Sequence, residues 1–170
     1  MRARPEWAGT RFTVCNSDNL YSQHVLRLLR ENHDPCALID YDRDALGVDA
    51  SKIEQFSVLR KDAGNYLVAI LEKPTPADIA AAQDSSGRVG VSMNIFRFSY
   101  GLILQPLIDA PLHPVRQEKE IPTALSILIS RHPQSVRVIP VGEKVPDLTD
   151  KGDIAHVQEY LGKHYPRFSF

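Results

Sequence analysis

Asp18 stands directly after the apolar run R-F-T-V-C-N (residues 11–16), inside the turn-forming stretch S-D-N-L-Y-S. A carboxylate at the carboxyl end of a strand lies where open α/β sheets bind ligands. It suits a hard cation such as Mg²⁺, which keeps several waters and takes only one or two protein carboxylates plus phosphate oxygens. The competing reading is a loop aspartate in an Asx turn. Glu72-Lys73 ends a second apolar run and is followed by Pro74. Proline biases the residue before it to extended backbone, and side chains next to each other on an extended segment point to opposite sides. One of the pair can then face a sugar and the other a phosphate. The alternative is a charged strand end. The third segment is V-P-D-L-T-D-K-G-D-I, residues 145–154. Asp150 or Asp153 caps the helix that follows, favoured by its dipole. Asp147 precedes the cap and is left for another role.

Other chemistries have less support. The six histidines show no ligand-like spacing with Cys15 or Cys36, which argues against a zinc site. No Ser-His-Asp or Cys-His arrangement stands out. Gly9-Thr10-Arg11 has the look of a phosphate-loop tail, but such a loop leads towards a helix. This one runs into a strand and reads as a turn.

The elements that must position these residues follow from periodicity. Residues 11–16 read as a strand, 23–32 as a helix capped by Ser22 with Val25, Leu26, Leu28 and Leu29 on one face, and 36–41 as a buried strand. A strand–helix–strand order predicts parallel pairing with a right-handed crossover. Residues 55–60 and 66–71 flank K-D-A-G-N as a hairpin. A short helix is expected at 76–83, a long strand at 89–98, and helices near 100–109 and 121–131, the latter with Pro122 in its first turn. A strand at 136–140 and a last helix ending near His164 complete the chain. The expected class is α/β, three-layered, with a mixed, mostly parallel sheet and helices on both faces, as one domain spanning residues 1–170.

At 170 residues the chain is long enough for a real core. Twenty basic residues against 21 acidic ones give a net charge of −1, so no global basic field points to nucleic acid or an anionic membrane. No apolar run approaches the roughly 18 residues of a membrane helix, and no signal-type segment follows the first residues. Two cysteines fit a reducing compartment, each as a small buried hydrophobe. The expectation is a cytoplasmic globular protein.

In order along the chain, N-S-D-N (16–19), E-K-P (72–74), V-S-M-N-I-F (91–96), E-I-P-T (120–123) and V-P-D-L-T-D-K-G-D-I (145–154) resemble the motifs of the sugar-phosphate nucleotidyltransferases, the sugar-nucleotide pyrophosphorylases. The resemblance covers residues 11 to 161. It implies a nucleotide-diphospho-sugar transferase-like fold, with Asp18 and Asp147 holding Mg²⁺. Lys73 would meet the sugar phosphate, Glu72 the sugar hydroxyls, and Asn94 and Glu120 would lie on the sugar side. The reaction implied is attack by a sugar 1-phosphate oxygen on the α-phosphate of a nucleoside triphosphate, with release of pyrophosphate. Positioning, metal and cationic groups stabilise the charge of such a transfer.

Departures limit what carries over. Ser17, Asn94 and Thr149 stand where the family favours glycine, Val145 replaces a tryptophan, and Thr123 an aspartate. Nothing matches the family's N-terminal G-G-x-G-T-R-L-x-P-L-T segment, which grips the triphosphate. The expectation is therefore a partial nucleotidyltransferase domain, inactive alone, that still takes a sugar 1-phosphate or nucleotide sugar. The alternative is a non-catalytic sugar-phosphate-binding or regulatory module partnering a full-length relative. A third reading is an α/β domain whose acidic loops are structural. The strand at 11–16, without that N-terminal neighbour, is expected either to self-associate or to be covered by the first residues, with Trp7 filling part of the gap.

Overall fold

A computed structural model describes residues 4–47, 56–149 and 151–166. In chain order it contains β1 (Arg11–Cys15), α1 (Gln23–Glu31), β2 (Cys36–Asp42), β3 (Val58–Lys61), β4 (Leu67–Leu71), α2 (Pro76–Ala81), β5 (Gly90–Val91), β6 (Ile95–Ser99), α3 (Tyr100–Asp109), α4 (Ile121–Arg131), β7 (Val136–Val141) and α5 (Ile154–His164). Local chemistry sets the boundaries. Ser22 Oγ accepts the Val25 N–H at 3.1 Å and starts α1. Thr75 and Asp78 form a reciprocal capping box on α2. Pro122 lies in the first turn of α4.

β2 is the middle of the molecule. Its Ala37, Ile39 and Tyr41 join one core with Val25 and Leu29 of α1. Its Cys36 and Leu38 join a second core with Ile103 of α3 and Leu125 and Leu128 of α4. The period-two alternation of a strand assigns its residues to the two cores.

The mostly parallel three-layer sheet is not what forms. The strand order is β1-β6-β2-β5-β3-β4, with β7 beside β2. Among the described residues only β2 and β7 pair in parallel, from Cys36↔Val136 to Tyr41↔Val141. Every other strand pairing among the described residues is antiparallel. β1 and β2 do run in the same direction, but β6 lies between them, so the strand–helix–strand unit is split. The long strand expected at 89–98 breaks into β5 and β6 at residues 92–94, where Asn94 takes a left-handed φ of 55°. β5 then pairs with β3 and β6 with β1.

This break lets the sheet curl into an antiparallel half-barrel. The β3–β4 hairpin returns to β7, where Tyr66 bridges Arg137 and Asn65 C=O accepts the Val138 N–H at 2.9 Å. The closure is fastened by side chains. Arg137 Nε donates to Asp34 at 2.9 Å, and its guanidinium lies 4.0 Å from the Tyr66 ring centroid. The Tyr66 hydroxyl donates to Asp34 at 3.0 Å. Burial pushes the Asp34 carboxyl up, but hydrogen bonds from Arg137, Tyr66 and Asn32 outweigh it and hold the group below the usual carboxylate range.

Cys36 is buried as expected, but Cys15 is exposed; both are free thiols. No helix among the described residues is long and apolar enough to cross a membrane.

Candidate functional site

Asp18 and Asp147 lie far apart in sequence and on neighbouring backbone. Asp18 C=O accepts the Leu148 N–H at 2.8 Å, and Pro146 C=O accepts the Leu20 N–H at 2.9 Å. These two bonds flank an antiparallel bridge between Asn19 and Asp147. The first segment is positioned by β1, whose last residue, Cys15, is in register with Ile95 of β6. The second leads into α5, with Asp153 at the N-cap position. Asp150, the other expected cap, lies outside the described residues.

Tyr21 ties the site together from below. Its hydroxyl donates to Met93 C=O at 2.6 Å and lies 3.2 Å from Asn19 Oδ1. Asn16 N–H donates to Asn94 C=O at 3.3 Å. The break at residues 92–94 is thus fixed against the Asp18 loop, which places Asn94 beside that loop. Burial is the main cause that raises the Tyr21 phenol; Asp18 and Asp147 add to it by charge.

The Asp147 carboxylate is oriented by its neighbours. Asn19 Nδ2 donates to Oδ1 at 3.1 Å, and Thr149 Oγ1 lies 2.9 Å from both oxygens. Asp18 is exposed, and its side chain has no hydrogen-bond partner among the described residues. No group of three or more His, Cys, Asp or Glu side chains that could hold a metal occurs among the described residues. The paired segments present two carboxylates, an exposed one at Asp18 and a half-buried one at Asp147.

Asp147 also lines a cavity of about 600 Å³ between the residue 144–147 segment and α5. Lys144, His156, Tyr160 and Lys163 line the same cavity. The last three recur at helical spacing and share one face of α5. The sequence reading missed these residues. The signal was the spacing of His156, Tyr160 and Lys163, which reads equally well as a solvated helix face until the cavity is seen.

The remaining candidates are not brought into this cluster by any hydrogen bond or ion pair. Glu72 and Lys73 follow β4, at the opposite end of the strand order from β1, and both are exposed. Lys73 is not extended as the following proline predicts; its φ is 48°. The geometry that would point Glu72 and Lys73 to opposite sides is therefore absent. Glu120 sits at the N-cap position of α4 and is ion-paired with Arg116. Gly9, with φ 78°, makes a turn into β1 and not a phosphate loop.

No family model matches the chain, and no curated protein sequence matches it. Among solved structures it is similar to a Bacillus anthracis protein assigned as a glucose-1-phosphate thymidylyltransferase, crystallised with sucrose. The TM-score is 0.59 at 14% identity, covering 89% of this chain. The chain spans 55% of the length of that neighbour. At this identity the likeness shows a nucleotidyltransferase-like fold.

Proposed function

We propose that this chain is a nucleotidyltransferase-like domain that binds a sugar 1-phosphate or nucleotide sugar together with Mg²⁺. The observation that carries the reading is the backbone pairing of the Asp18 and Asp147 segments beside a cavity that Asp147, Lys144 and Lys163 line. Asp18 and Asp147 would hold the hydrated cation, with Asn19 and Thr149 orienting the second carboxylate. The metal would neutralise phosphate charge. Lys144 and Lys163 supply cationic donors from the cavity wall, and Asn94, held against the Asp18 loop through its backbone carbonyl, would lie on the sugar side. Glu72, Lys73 and Glu120 enter this reading through the sequence resemblance alone.

The proposal is limited to binding, the step that the paired Asp18 and Asp147 segments and the cavity wall can serve. A non-catalytic module that partners a full-length relative is the alternative form of this proposal.

The test is calorimetry with glucose 1-phosphate and nucleoside diphosphate glucoses, with and without Mg²⁺, alongside Mn²⁺ binding followed by electron paramagnetic resonance. Asp18→Asn and Asp147→Asn should each weaken Mn²⁺ binding by roughly tenfold or more. A pyrophosphate-release assay with the four common triphosphates should show no turnover. Metal-independent binding unaffected by both substitutions would remove the site, and clear turnover would remove the binding-only reading.

A further inference from the structure

Among the described residues, β1 ends the strand order and pairs on one side only, with β6. Which of its backbone groups are used can be read from the ladder. Tyr100 N–H donates to Thr10 C=O at 3.0 Å, and Asn16 N–H donates to Asn94 C=O at 3.3 Å. Both pairs continue the Arg11↔Ser99 to Cys15↔Ile95 register. In an antiparallel ladder successive residues direct their N–H and C=O to alternate sides. Residues 10, 12, 14 and 16 therefore face β6, and Arg11, Thr13 and Cys15 direct both backbone groups outward. No backbone hydrogen bond among the described residues reaches those outward groups. The first described residues go elsewhere: Trp7 packs edge-on against Tyr100, with ring centroids 5.9 Å apart, and stays half exposed. They do not cover the strand.

We propose that this edge is a homodimer interface, in which a second copy of the chain adds its own β1 antiparallel with Thr13 on the two-fold axis. The edge is self-complementary in that register. Thr13 meets Thr13 of the second copy, and Arg11 meets Cys15, so every outward N–H of one strand faces an outward C=O of the other. A shift by one pair leaves an outward residue without a strand partner. On the face that carries the side chains of Phe12 and Val14, both half-buried in the monomer, each Phe12 comes opposite the other copy's Val14. This covers apolar surface that the monomer leaves partly wet. The two Arg11 side chains lie at opposite ends of the ladder, so no like charges meet. Charge and proline are what usually blunt a sheet edge, and residues 12–15 carry neither. A single added ladder is small against stable interfaces of about 1,200–2,000 Å², which places the dimer among weak, concentration-dependent ones.

Sedimentation velocity on the whole chain, from roughly 10 to 500 µM, tests this. The wild type should shift from monomer to dimer across the range, with or without reductant, because Cys15 faces Arg11 and not its own copy. Thr13→Pro removes an outward N–H and leaves the β1–β6 ladder intact, so it should stay monomeric with an unchanged far-ultraviolet spectrum. Thr13→Lys places two like charges opposite each other on the axis and should weaken association by at least tenfold. A wild type that is monomeric at the top concentration overturns the proposal. So does a dimer that both substitutions leave intact, or one that reductant abolishes.

Discussion

Gly90 lies directly against the carboxylate of Asp40: a Cβ on Gly90 would sit 1.6 Å from Asp40 Oδ1 and 2.5 Å from its Cγ. Asp40 is fully buried on β2. Its Oδ2 accepts from Lys61 Nζ at 2.6 Å and from Arg88 at 2.8 Å. Glycine at this point of β5 makes room for a buried charge that ties β2 to the β3–β4 hairpin. Gly90→Ala must displace either the carboxylate or the strand, and neither is a flexible chain end. It should destabilise the fold by about 3 kcal/mol, from overpacking together with disturbance of the ion pairs. Urea denaturation measures this, and a loss under about 1 kcal/mol would show that the carboxylate can move aside.

Asp40→Ala removes the shared acceptor of Lys61 and Arg88, which are both largely buried. Lys61 keeps Asp84 and Arg88 keeps Asp42, each at 3.7 Å, so losing the closer, shared carboxylate should cost about 3 kcal/mol. Because the alanine also frees the space beside residue 90, the double variant with Gly90→Ala should lose less than the sum of the single losses. Strict additivity would mean that the contact between the two positions does not limit either one.

The fate of Asp40 shows where reading the sequence stops. Element positions were legible because periodicity and caps are local: Ser22 and Pro122 start helices where they should. Pairing was not legible. An apolar run such as I-F-R-F-S reads the same whether its neighbours are parallel or antiparallel, and insertion of β6 between β1 and β2 depends on contacts with residues more than 50 positions away. Asp40 inside C-A-L-I-D-Y gave no sign of burial, since its cationic partners lie 21 and 48 residues downstream. At the candidate site, the order of motifs brought Asp18 and Asp147 forward. The conformation of Lys73 went against the proline rule because that rule is a bias, which the chain's exit from β4 overrides.

Acid should unfold the protein in a defined window. The Ser86 hydroxyl, 2.7 Å from Asp84, is the main cause that lowers this carboxyl to about 2; the backbone N–H groups of Ser86 and Arg88 reinforce it against desolvation. For Glu143, desolvation raises the carboxyl, but hydrogen bonds from Ser22 and His24 outweigh it and leave the group lowered. Asp34 is lowered as well. These groups release protons more readily in the folded chain than in the unfolded one, whose carboxyls titrate at about 4. Their contribution is fully present above about pH 4 and is lost as pH falls through the folded values towards about 2. Urea midpoints at pH 5, 3.5 and 2.5 should decline steadily, and Asp84→Asn should flatten the decline. An equal slope in that variant would exclude Asp84 as a contributor.

Tyr21 offers a test of the site that leaves both aspartates in place. Its hydroxyl joins the 92–94 turn to the Asp18 loop through Met93 C=O and Asn19. Tyr21→Phe keeps the ring in the core and removes that link. One buried hydrogen bond is worth about 1 kcal/mol, so stability should fall by that order. If the link holds the Asp18 segment against Asp147, Mn²⁺ affinity should fall with it by roughly three- to tenfold, while Asn94 amide exchange quickens. Affinity unchanged in a variant that has lost the expected stability would mean that the bridge between Asn19 and Asp147 positions the two carboxylates without help from Tyr21.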